Sequence, residues 1–198
     1  MSKNILNKVV PVFVGLAALV LSSVANSANM IDQNASANNT YMATFSQTDL
    51  AQSFQQSASN ISGAGIFLQP NAGTSDTVTI SLWSNLPNAG GSLITSASTT
   101  GTAGSWADVF WSPVAVIPNS TYYLVFTGNT TLGISGDTGN GYSRGQVYAN
   151  SGYESFPTYD YTFRTYASTS PVPEPSEYAL MAAGLGLMGF MVRRKKSA

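Results

Sequence analysis

The chain of 198 residues contains no cysteine and no histidine. Without cysteine no disulfide can staple it, so even in an oxidising compartment its stability has to come from a packed apolar core. Without histidine it lacks the commonest general base, the partner in Ser-His and Cys-His nucleophiles, and the usual zinc ligand sets. Lysine is missing between Lys8 and Lys195. From Asn26 to Val172 the basic residues are Arg144 and Arg164, against Asp32, Asp49, Asp76, Asp108, Asp137, Glu154 and Asp160. A net-negative stretch with no basic patch cannot release phosphate counterions, which excludes nucleic acid as a partner and disfavours anionic lipid. Carboxylates, hydroxyls and tyrosines remain for chemistry, and no constellation calls for a metal or another cofactor.

The two ends have a different composition from the middle. Lys3 and Lys8 lead into an apolar stretch from Val9 to Leu21, followed by the small and polar residues Ser22 to Ala28. This is the layout of a secretory signal peptide, with signal peptidase expected to cut after Ala25, or alternatively after Ser27. At the other end, Val172-Pro173-Glu174-Pro175-Ser176 precedes an uncharged run from Tyr178 to Val192, and Arg193, Arg194, Lys195 and Lys196 follow. As a helix that run is ~22 Å long, short of the ~30 Å hydrocarbon core, a deficit that snorkelling of the basic residues reduces. The positive cluster acts as a membrane stop and stays on the cytoplasmic side, so all that precedes Pro173 is expected outside the inner membrane. Pro173 and Pro175 hold their neighbours out of the helical region, and the extended segment is a good protease substrate. Spacer, apolar helix and basic end in that order resemble the PEP-CTERM sorting tail of Gram-negative bacteria. The resemblance implies a membrane-embedded exosortase-type protease that cuts near Pro173-Glu174-Pro175 and releases or re-anchors the protein at the cell surface.

Between the ends the expected organisation is a signal peptide at 1–25, a loose polar leader at 26–39, one β domain at 40–167, a proline-rich spacer at 168–177, a transmembrane helix at 178–192 and a cytoplasmic tail at 193–198. The β domain rests on a period of two. Val78, Ile80 and Leu82 alternate with Thr77, Thr79 and Ser81, and Ile66 and Leu68 repeat the pattern. Tyr122 to Phe126 is a continuous apolar run suited to an interior strand. Tyr159, Tyr161 and Phe163 fall on one face, with Asp160, Thr162 and Arg164 on the other. Proline-, asparagine- and glycine-rich turns at 69–73, 87–91, 118–120 and 136–141 separate these runs. The fold expected is all-β, a jelly-roll-like β-sandwich. Leu50-Ala51-Gln52-Ser53-Phe54, Val78 to Trp83, Asn119 to Val125 and Asp160 to Tyr166 together resemble the choice-of-anchor group of bacterial surface domains, which implies the same sandwich and carries over no catalytic residue.

Trp106, Tyr142 and Tyr153 are the candidate glycan contacts, because an aromatic face packs on the C–H face of a pyranose while its polar tip hydrogen-bonds. Tyr142 and Tyr153, among glycines and turns, are expected to be exposed. Asp137-Thr138-Gly139-Asn140-Gly141 has spaced oxygens but no terminal bidentate carboxylate, and reads as a turn rather than a calcium loop. Asp160 and Arg164, four apart on a strand, stand ~13 Å from each other, so Arg164 should pair with a neighbouring strand. The expectation is a non-catalytic, membrane-anchored and then cell-surface or secreted protein, associated weakly with extracellular polysaccharide or biofilm matrix. The alternatives are a carboxylate-dependent polysaccharide hydrolase and a purely structural surface subunit.

Overall fold

The computed structural model describes residues 28–129, 131–169 and 181–188. The expected signal peptide, the Pro173-Glu174-Pro175 motif and the basic stop at 193–196 lie outside the described residues. Of the apolar run at 178–192 the described part, 181–188, is helical. Among the described residues no helix is long and apolar enough to cross a membrane.

The described fold is all-β. Its strands are β1 (Asn29–Ala35), β2 (Thr40–Thr44), β3 (Leu50–Gln55), β4 (Asn60–Phe67), β5 (Ser75–Trp83), β6 (Leu93–Thr102), β7 (Trp106–Ala115), β8 (Thr121–Gly128), β9 (Gly133–Asp137), β10 (Val147–Ala149), β11 (Glu154–Phe156), β12 (Asp160–Tyr161) and β13 (Phe163–Ser168). They form a four-stranded sheet in the order β1-β13-β4-β7, a six-stranded sheet in the order β11-β10-β3-β8-β5-β6, and a three-stranded sheet in the order β12-β9-β2. β12 and β13 flank Thr162, whose N–H donates to Ser135 O and whose carbonyl accepts from Phe67 N–H. The three-stranded sheet is therefore a continuation of the four-stranded one.

The period-two pattern explains which faces meet. In β5 Val78, Ile80 and Leu82 are buried while the intervening Thr79, Ser81 and Trp83 are not, as expected from alternation. β8 lies between β3 and β5 in the six-stranded sheet, the interior position its apolar run suggests. Phe54 of β3, Phe126 of β8, Ile66 of β4 and Phe163 of β13 belong to one buried cluster, so the two large sheets close on a shared core. Pro113 sits in β7, the edge of its sheet, where a missing N–H leaves no interior ladder bond unmade.

Two expectations are corrected. The stretch read as a loose leader contains β1, which pairs with β13 from Asn29↔Ser168 to Ala35↔Phe163. Its polar sequence hides the strand because a bulge between Ile31 and Gln33 changes the alternation and because its inward residues include a glutamine: Gln33 is buried and its backbone N–H donates to Thr165 Oγ1. Asp160 and Thr162, assigned to a polar face, are both buried. Asp160 Oδ1 accepts from Gln52 Nε2 at 3.1 Å and Oδ2 accepts from Tyr142 N–H at 2.9 Å. Gln52 is aligned by accepting the Tyr161 N–H on its Oε1. These partners allow a carboxylate where the local pattern suggests solvent.

Candidate functional site

The outer face of the four-stranded sheet gathers chemistry from three strands. Ala107 and Val109 of β7, Ala64 and Ile66 of β4, and Phe163 and Thr165 of β13 point into the core, so the residues between them face outward. Backbone register then aligns Asn34, Arg164, Gly65 and Asp108 in one row, and Ile31, Tyr166, Gly63 and Phe110 in the next. Phe67 and Trp106 form the start of a third.

The two glycines let the flanking strands touch across β4. A Cβ on Gly65 would stand 2.1 Å from Asp108 Oδ1, and one on Gly63 2.7 Å from Phe110 Cδ1. Over that gap Arg164 Nε donates to Asp108 Oδ1 at 2.8 Å and Arg164 Nη2 pairs with Asp108 Oδ2, a bidentate ion pair. Tyr166 Oη donates to Asp108 Oδ1 at 2.9 Å. The guanidinium carbon lies 4.1 Å from the centroid of Trp106 and 5.5 Å from that of Tyr166. Phe110 packs on Tyr166 with centroids 4.9 Å apart, and Phe67 meets Trp106 edge-on at 5.5 Å. Hydrogen bonding to Asp108 raises the Arg164 pKa further above its usual range, and burial followed by the Asp108 hydrogen bond pushes the Tyr166 phenol well up. The centre is thus an internally neutralised Arg–Asp pair, flanked by rings. Phe110 and Ile31 at its margins are half exposed, at 51% and 50%.

The three candidates from the sequence are not brought together. Trp106 is on this face, but its ring carries the Arg164 guanidinium. Tyr142 is buried rather than exposed: its ring stands edge-on to Phe163 at 5.0 Å, its hydroxyl donates to Gln33 Oε1 at 2.9 Å, and burial raises its pKa. The glycines beside it mark a tight fold of the chain against the core and not a surface tip, since a Cβ on Gly145 would overlap Ser53 O. Tyr153 lies on the outer side of the six-stranded sheet with Trp83, Tyr123 and Tyr148, packed on Ala51, Leu86 and Val125. It has a left-handed φ of 57° and is half-buried.

Asp108, Phe110, Tyr166, Gly63 and Gly65 are not among the candidates expected from the sequence. Their signal was present as spacings of two, Trp106-x-Asp108-x-Phe110, Gly63-x-Gly65 and Arg164-x-Tyr166, each of which puts its members on one strand face. Strand pairing was needed to place the three faces side by side. Arg164 does find its partner on another strand, as expected.

Elsewhere, Asp137 and Asp160 pair directly across β9 and β12 and line a cavity of about 130 Å³ with Asn34, Ser36 and Gly141. Burial, partly countered by hydrogen bonds from Tyr142 and Gln52, raises the Asp160 pKa, and the Asp137 charge adds to the rise. Among the described residues no group of three or more acidic side chains is placed to hold a metal ion. Asp137 ends β9, and residues 138–141 continue from it as a bend.

Comparison with known proteins bears on the tail. Residues 171–195 match the PEP-CTERM protein-sorting motif. No curated protein and no solved structure matches the chain. The PEP-CTERM motif implies export, anchoring in the membrane before processing, and processing by an exosortase, a membrane protease. In this chain it contains Pro173, Glu174 and Pro175, and it reaches Lys195.

Proposed function

We propose that this PEP-CTERM chain is a cell-surface or extracellular protein whose β part is a jelly-roll-like sandwich of the choice-of-anchor type, and that its work is weak, non-catalytic association with neutral polysaccharide of the surrounding matrix. Two antiparallel sheets around one core support the sandwich. The outer face of the four-stranded sheet carries the functional reading. Its Arg–Asp pair is already satisfied and adds no net charge, so a charged ligand gains little there, whereas the half-exposed Phe110 ring beside Tyr166 offers an apolar plane to the C–H face of a sugar. Arg164 Nη1, which the pair does not use, can donate to a sugar hydroxyl at its edge.

Affinity electrophoresis through gels containing a neutral polysaccharide tests this. The parent should be retarded with little dependence on salt, and Phe110→Ala should weaken retention about five-fold, the loss of one ring contact of ~1 kcal/mol. Equal retention of parent and variant rejects this face as the site. No retention on neutral glycans or on the producer's own matrix rejects glycan association and favours the structural-subunit reading.

One observation favours the hydrolase alternative: Asp137 and Asp160 face each other with one pKa raised, the pattern of an acid and its partner carboxylate. Release of reducing sugar that disappears in Asp137→Asn would establish it.

A further inference from the structure

A second cavity, of about 260 Å³, lies where β2, β10 and β12 meet the β10–β11 turn, remote in kind from the Arg–Asp face. Its walls are the rings of Phe156, Tyr159 and Tyr161 with the aliphatic side of β10, including Ala149. Phe156 and Tyr159 are stacked, with centroids 5.7 Å apart and planes at 17°. Among the described residues no charged side chain lines the space, and its polar members besides the two phenols are the amides of Gln47 and Asn150. These amides are half committed. Gln47 Oε1 accepts the Thr44 N–H at 3.0 Å, which leaves its NH₂ to donate. Asn150 Nδ2 donates to Glu154 Oε2 at 2.9 Å, which leaves its carbonyl to accept. Tyr161, which is 1% exposed, has a hydroxyl with no hydrogen-bond partner among the described residues, an arrangement that native interiors seldom leave unexplained.

Volume and lining together select a ligand. A dry cavity of ~150 Å³ accepts benzene, and sites for drug-sized molecules begin at ~300 Å³. The space therefore suits one ring with a small substituent. The lack of charge in the lining penalises an ion, which would lose its hydration without gaining a counter-charge. The apolar floor penalises an unsubstituted hexose in the same way, since its hydroxyls would lose water against Ala149 and the rings. A donor and an acceptor among the lining amides match a group that both accepts and donates.

We infer that this cavity is a binding site for a neutral, single-ring aromatic compound bearing one carboxamide-type or hydroxyl substituent, held with its ring against Phe156–Tyr159 and its substituent between Gln47 and Asn150. The inference does not depend on glycan binding at the Arg–Asp face, and Phe110→Ala should leave it intact.

Benzamide is the probe. Saturation-transfer NMR on the full chain in detergent, with benzoate and glucose as comparators, should give a benzamide signal at least about ten-fold stronger than benzoate. The comparison is made against Ala149→Leu, which fills the cavity and leaves partition of the probe into detergent unchanged. That variant should lose the signal while keeping its melting temperature within a few degrees, and Gln47→Ala, at an exposed position, should weaken affinity about five-fold by removing one hydrogen bond. A signal that is equal in parent and in folded Ala149→Leu overturns the site. Should Ala149→Leu fail to fold, an unchanged affinity in Gln47→Ala overturns it instead. Benzoate or glucose binding as tightly as benzamide overturns the assignment of ligand class.

Discussion

At the scale of residues, glycine rather than an aromatic side chain is what makes the four-stranded face. Gly63 and Gly65 leave the outer side of β4 empty, and the side chains of β7 and β13 lean into that gap to form the Arg164–Asp108–Tyr166 contacts. Gly65→Ala should drive the Asp108 carboxylate out of reach of its three donors. Chemical denaturation should register a loss of ~1–3 kcal/mol, the scale of stranding partly buried polar groups, and an unchanged midpoint would mean that Asp108 is held too loosely for the pair to matter. Asp160 makes a second residue-level prediction, in pH. Its folded-state pKa is raised, chiefly by burial, so the folded protein holds that proton to higher pH than the unfolded chain does. Stability present below the ordinary aspartate value is then lost as pH rises through the folded value. Denaturation midpoints of the parent, followed between about pH 3 and 7, should show this decline and those of Asp160→Asn should lack it. Parallel curves for the two proteins would disprove the linkage.

At the scale of elements, β1 ties a polar segment to the core. Its register with β13 places Gln33 and Ala35 inward and Asn34 beside Arg164. Asp32 adds a second tie, accepting the backbone N–H groups of Ser57 and Ala58 at 2.7 and 3.1 Å. A fragment of residues 28–169 should therefore fold with a β-type circular dichroism spectrum and unfold cooperatively. The same fragment begun at residue 40 should be less stable by several kcal/mol, because β13 becomes an uncovered edge and two buried side chains are removed. Matching melting curves would show that β1 is docked without contributing. Near it Thr165 Oγ1 donates to Gln56 Oε1 and accepts the Gln33 N–H, while Gln33 Oε1 accepts the Tyr142 hydroxyl and Gln52 Oε1 the Tyr161 N–H, long-range bonds that fix pairing in a core with no disulfide to do so.

At the scale of the whole molecule, the sorting motif and the β fold make separable contributions. The motif speaks for export, membrane anchoring and exosortase processing, and it occupies residues 171–195, which follow the last strand of the β fold in the chain. Replacing Pro173, Glu174 and Pro175 together with alanine should leave the β domain's melting unchanged and trap the chain as an uncleaved, membrane-bound form. Mass measurement of the C-terminus in membrane and culture fractions checks this, and equal release of variant and parent would refute it. Conversely, Gly65→Ala should alter stability without changing where the chain is cut.

The sequence alone specified the sorting tail, the all-β class, the inward face of β5 and the interior position of β8, because each depends on residues close together in the chain: a Pro-Glu-Pro spacer before an apolar run, alternation with period two or a continuous apolar run, and turns rich in glycine and asparagine. It also required Arg164 to look beyond its own strand for a partner, since ~3.3 Å per residue puts Asp160 out of reach. The tertiary structure decided the rest. Asp108 and Arg164 are 56 residues apart in the chain, and only the alignment of β7 and β13 on either side of Gly65 makes them one group. Tyr142 reads as a surface residue from its neighbours and is a core residue because Gln33, 109 positions away, accepts its hydroxyl. Asp160 reads as solvent-facing from alternation and is buried because Gln52, from 108 positions away, supplies a donor. Long-range pairing sets which polar groups find partners, and partners, rather than local pattern, decide whether a polar side chain can leave water.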